Sequence, residues 1–162
     1  MKCFLIALFI STSLMAQDSI VLKSLGGTTH TFPLNNQLLF IGSTLKSHSQ
    51  IHDWFSSLQK HPELIKKYQI VAVPVIRGFF SASIFRSGFL ALLNRKVPEK
   101  HYARVVPVFE DEEGFIFFSA LQKDEQDELV VVLVNAEGIP LWQTRGGFTE
   151  AKLASLVNTS AV

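Results

Sequence analysis

The sequence predicts one α/β domain: a mixed central sheet with helices on both faces and a β-hairpin extension on the N-terminal side. Three observations carry this. The apolar runs QLLFIG (37–42), QIVAVPVI (69–76) and ELVVVLVN (128–135) are continuous, as strands buried on both faces are. Helical patterns stand between them, and strands that alternate with helices imply parallel crossovers. Turn chemistry brackets the series, with Gly26-Gly27 near the start and Ala136-Glu137-Gly138 near the end each separating two β-like runs. No internal repeat or low-complexity linker divides the chain, so residues 17–162 read as a single domain.

Residues 1–16 are set apart from that domain. Met1-Lys2 is a minimal positive start, CFLIALFI (3–10) an apolar run, and Ser11–Ala16 a stretch of mostly small residues. That is the order of a secretory signal, cut after Ala16 or, alternatively, after Ser13. The apolar run is too short to span a bilayer, which takes about 20 residues. The protein is therefore expected to be exported, periplasmic in a Gram-negative bacterium and otherwise secreted. Cys3 is the sole cysteine and lies inside this segment, so the mature chain contains no thiol and no disulfide. With 48% apolar residues and 14 phenylalanines, a core can hold such a domain alone.

The elements follow in order. SIVLKSLGGTTHTFPLN (19–35) holds the first hairpin, and Asn35-Asn36 turns the chain into the strand at 37–42. Ile51, Trp54, Phe55 and Leu58 then recur at helical spacing. They predict a helix from about Ser47 to Lys60, with Ser47 or Ser49 as N-cap. His61-Pro62 ends it, and ELIKKY adds a short turn. After the strand at 69–76 a helix is expected from about Ser81 to Arg95, stopped by Pro98. YARVVPVFED (102–111) reads as a further strand, and Pro107 places part of it at an edge or bulge. FIFFSALQ (115–122) is a short helix, IPLWQT (139–144) is the partner of the strand at 128–135, and Thr149 caps a last helix, Glu150–Val157.

This order, with LLFIG before the first long helix, VVPVFEDEEGFIFFSAL in the middle and ELVVVLVNAEGIPLWQTRGGFTEAKLASL at the end, resembles the thioredoxin-like fold. The final segment is most similar to the periplasmic YtfJ family. More loosely, it resembles the end of the mitochondrial ATP-synthase assembly factors of thioredoxin-like fold. In thioredoxin-like enzymes the strand-to-helix loop holds Cys-x-x-Cys, its first thiolate stabilised at a helix N-terminus. The resemblance places that segment at Lys46-Ser47-His48-Ser49, or one residue earlier at Leu45–His48. Peroxiredoxin-like members use Thr-x-x-Cys, and Thr44-Leu45-Lys46-Ser47 keeps that frame with serine in place of the cysteine. The family's cis-proline would fall at Leu129. The implied redox loop (Thr44, Lys46, Ser47, His48, Ser49 and Leu129) has thus lost both halves of its redox chemistry.

Other chemistry is limited. His48 and His52 stand at i, i+4 and share a helix face, a spacing that suits two ligands of copper or zinc. A third ligand would have to come from afar, from His101 or Glu128. The same pair also reads as two solvated histidines. A Ser–His–Asp site from Ser47 or Ser49, His52 and Asp53 fails, because neighbours on a helix point about 100° apart. No Gly-x-Ser-x-Gly elbow, P-loop or Rossmann pattern is present, and no cofactor is expected.

Beyond Lys2, fourteen basic residues face fourteen acidic ones, a balance without the basic surplus of a nucleic-acid binder. The segment 77–104 is locally basic and aromatic on more than one helical face. It reads as a sheet-covering helix or as a surface for a partner protein or an anionic membrane, through Arg77, Phe79, Phe80, Phe85, Arg86 and Phe89. The expectation is an exported, redox-inactive thioredoxin-like protein that is not an enzyme and acts by binding an unidentified protein partner. Metal binding and peripheral membrane contact are the alternatives.

Overall fold

The computed structural model describes residues 19–78, 83–122 and 128–159. The proposed signal segment, Phe79 and Phe80 lie outside the described residues.

Two strands, β1 (Ile20–Lys23) and β2 (Thr29–Phe32), form the expected antiparallel hairpin as a separate small sheet. The main sheet holds β3 (Gln37–Gly42), β4 (Gln69–Ile76), β5 (Val108–Phe109), β6 (Val130–Val134) and β7 (Pro140–Arg145), in the order β5-β4-β3-β6-β7. The β3–β4 and β4–β5 pairs are parallel, whereas β6 runs antiparallel to both β3 and β7. The sheet is mixed, as expected. The helices are α1 (Leu45–Leu58), α2 (Pro62–Lys67), α3 (Ser83–Lys96), α4 (Gly114–Gln122) and α5 (Glu150–Thr159), with a 3-10 helix at Glu99–Arg104.

The continuous apolar runs are explained by two cores, one on each face of the sheet. Side chains alternate along a strand, so Leu38 and Phe40 enter one core while Leu39 and Ile41 enter the other. β6 does the same with Val131 and Leu133 against Val130, Val132 and Val134. The first core is closed by Trp54 and Leu58 of α1 and by Leu153 and Leu156 of α5. The second is closed by Phe117, Phe118 and Leu121 of α4 with Ile20 and Phe32 of the hairpin.

Three expectations about local structure are corrected. ELIKKY is not a turn but most of α2, a helix with Pro62 in its first turn, where the missing N–H has no partner to lose. The strand expected over 102–111 pairs only at Val108–Phe109 and at an isolated bridge between Ala72 and Val105. Residues 99–104 are helical, and Pro107, without an N–H, interrupts the ladder between the two contacts. β5 is an edge strand, as Pro107 implied. Finally, α1 begins before Ser47, a shift taken up below.

Gln37 ties the hairpin to the main sheet. It is fully buried, and its amide donates to the Thr31 carbonyl (2.9 Å) and to Oε1 of Gln69 (2.6 Å). Its own Oε1 accepts from the Leu34 amide at 2.7 Å. Gln37→Leu removes three hydrogen bonds whose partners are only partly shielded from water, and should cost about 1–3 kcal/mol in chemical denaturation. A loss under about 0.5 kcal/mol would mean that water replaces the network.

Candidate functional site

The corner that carries chemistry in the resembling enzymes is built here by the end of β3 and the start of α1. The N-cap is Thr44, with extended backbone (φ −128°), not Ser47 or Ser49. Its hydroxyl accepts from the Ser47 amide at 3.2 Å, and Ser47 Oγ accepts from the Thr44 amide at 3.1 Å. This reciprocal capping box satisfies two amides that a helix start otherwise leaves open. The periodicity of Ile51, Trp54 and Leu58 could not reveal it, because a cap is decided by backbone geometry one turn earlier.

Ser47 is consequently a structural residue. It is 1% exposed, and its hydroxyl proton goes to the Thr44 carbonyl at 2.7 Å. Gly42 makes room for it, since a β-carbon there would lie 2.4 Å from Ser47 Oγ. Leu129, also fully buried, faces the same corner, where a Gly42 β-carbon would meet its side chain at 3.8 Å. Its amide donates to Oε1 of Gln50 at 2.9 Å, a partner on α1 that the loop pattern did not indicate. Lys46 reaches Glu128 at 3.5 Å, but both are largely solvated and the pair contributes little. Ser49 is exposed. The structure therefore brings Thr44, Lys46, Ser47 and Leu129 together at one corner.

His48 and His52 do share a face of α1. Both line a cavity of about 340 Å³ together with His101 of the 3-10 helix and with Lys96 and Lys100. His101 stacks at a tilt on Phe55, ring centroids 5.8 Å apart. Partial burial, then the charges of Lys96 and His52, push His48 below the usual histidine range. Partial burial does the same to His101, followed by Lys100, Arg104 and His52. Among the described residues no group of three His, Cys, Asp or Glu side chains is arranged to hold a metal ion. The two lysines were legible as local positive charge, but their approach to the histidines depends on the end of α3 and the 3-10 helix lining the same cavity as α1.

The basic aromatic segment is partly drawn inward. Arg77 donates to Ser119 Oγ (3.1 Å) and Gln122 Oε1 (3.4 Å) and lies over the Phe115 ring at 5.0 Å. Arg86 pairs with Asp111 and Glu112 and lies 4.2 Å above Phe109, which Phe89 meets edge-on at 6.3 Å. Phe85 is 38% exposed, and Ile84 and Leu92 are more so, at 78% and 49%.

Comparison with solved structures identifies the architecture. Similar folds are the exposed lipoprotein thioredoxin Etrx1 of Streptococcus pneumoniae (12% identity, covering 89% of this chain and 99% of that one, TM-score 0.53). StoA of Bacillus subtilis is another, with 14% identity, coverage of 89% and 98%, and a TM-score of 0.55. A thio-disulfide isomerase of Thermus thermophilus is a third, at 11% identity, 87% and 92% coverage and a TM-score of 0.50. The chain has a thioredoxin-like fold. No family model and no curated protein matches it.

Proposed function

We propose that the protein acts by binding, as an exported accessory or assembly factor built on a thioredoxin-like scaffold without thiol chemistry. One observation supports this above the others. At the corner where the resemblance implies a redox loop, Ser47 is buried and spends its hydroxyl on the capping box, and no described residue is a cysteine. A serine hydroxyl neither ionises near neutral pH nor forms a disulfide, so it cannot take the role of a thiolate. The order of residues 1–16 supports export, and the pattern of residues 128–156 supports a place near the YtfJ-like branch. The exposed apolar residues of α3 favour a protein partner.

The test is turnover. Purified mature protein should reduce insulin disulfides and peroxide, with dithiothreitol as electron source, no faster than its heat-denatured control. Sustained turnover above that control overturns the reading.

A further inference from the structure

α3 buries none of its described side chains completely, although its sequence is rich in apolar residues. Beneath it, two cavities of about 340 and 480 Å³ lie side by side against α1. They share His48, Ile51, Pro74, Leu93 and Lys96, and so form one elongated groove of small-molecule dimensions. The larger part is walled mainly by apolar side chains, Ile76, Phe89 and Leu92 among them, with Thr44 and Ser47 at the start of α1 and with Arg77, whose guanidinium is engaged by Ser119 and Gln122. The smaller part is apolar at Ile51, Phe55 and Val105, but its rim carries His48, His52, Lys96, Lys100 and His101.

The charge is one-sided. No carboxylate lines either cavity among the described residues, and α3 carries no acidic residue. Asp53 and Glu99, on the flanking elements, do not line the groove. No ion pair among the described residues engages Lys96 or Lys100. A divalent cation would be repelled by the two lysines. A small hydrophilic anion would leave the apolar walls wet, and a neutral apolar molecule would leave the cations unmatched. An occupant with an anionic head and a hydrocarbon tail satisfies both parts.

We propose that this groove binds one amphiphilic monoanion of the fatty-acid class, its headgroup at Lys96, Lys100 and His101 and its tail running beside Leu93 and Phe89 toward Ile76. The tail then lies along the side of α3 that lines the groove, at Phe89, Leu92 and Leu93. The inference stands apart from the redox reading, because an empty groove would leave the thiol-free corner as it is.

Calorimetric titration of the mature protein with decanoate, decanol and decyltrimethylammonium, each below its micellar range, tests it. Decanoate should bind once per chain, and decanol and the cation should bind about tenfold more weakly or worse, the loss expected when a charge-assisted contact disappears. Lys96→Gln/Lys100→Gln should weaken decanoate by about tenfold while leaving decanol unchanged, and Lys66→Gln, outside the groove, should have no effect. Equal affinity for all three probes, absence of decanoate binding, or wild-type affinity in the double variant overturns the proposal. So does co-sedimentation with phosphatidylglycerol vesicles without binding of monomeric decanoate, which would assign the surface to a membrane. Because the three-probe comparison uses the wild type, it decides the matter even if the variant folds poorly.

Discussion

Trp54→Ala should lower the unfolding free energy by about 3–5 kcal/mol, the range for deleting a buried aromatic side chain. Trp54 is fully buried between α1 and the C-terminal elements. Its ring meets Phe148 at 5.1 Å, Phe40 at 5.8 Å and Trp142 at 6.4 Å, all edge to face. Its indole N–H donates to the Gly146 carbonyl at 3.1 Å, in the turn between β7 and α5. Gly146 sits there at φ +77°, which a side chain rarely tolerates. One residue thus couples the helix at the candidate site to the far edge of the sheet. Trp54→Phe keeps most of the apolar contact but orphans that carbonyl, so its cost should be smaller, about 1–3 kcal/mol. Urea denaturation followed by far-ultraviolet circular dichroism measures both. A loss below about 1 kcal/mol for the alanine variant would show that the cluster refills the space.

Leu129→Pro should be nearly as damaging, at about 3–5 kcal/mol, although the resemblance implies a proline at this position. Here the residue is a fully buried leucine whose amide holds Gln50 of α1. Proline removes that donor and most of the side-chain contact at once. Leu129→Ala isolates the packing loss, about 2–5 kcal/mol, and Gln50→Ala isolates the hydrogen bond, about 1 kcal/mol. A proline variant as stable as the wild type would mean that the corner still keeps the geometry of the redox enzymes. That result would count against the reading of this site as rebuilt for structure.

Much of the fold was legible because it rests on repeating physical patterns. Leu38 to Ile41 and Val130 to Val134 read as doubly buried strands because no polar residue interrupts either face. Asn135 and Gly138 announced the β6–β7 turn, and there Asn135 Oδ1 accepts from the amides of Glu137 (3.1 Å) and Ile139 (2.9 Å). Thr149 was likewise legible as a cap, accepting from the Lys152 amide at 3.3 Å. The start of α1 was less so. Thr44, Ser47 and Ser49 are all good capping residues, and periodicity cannot choose among them. The strand over 102–111 was drawn too long, because Tyr102–Arg104 belong to the 3-10 helix and only Val108–Phe109 pair as β5.

Local chemistry alone decides that residues 17–162 offer no thiol, that the central strands are buried on both faces, and that His48 and His52 share a helix face. These follow from residue identity and from the periods of helix and strand, which need no distant partner. Only the folded chain decides that Ser47 turns inward to close a cap. Only it brings Lys96, Lys100 and His101 to the rim that His48 and His52 already line. Those residues lie some fifty positions apart, and their meeting depends on the parallel crossover from β3 to β4 and on the end of α3 and the 3-10 helix lining the same cavity as α1. A cavity belongs to the packing of whole elements, and no single stretch of sequence carries its shape.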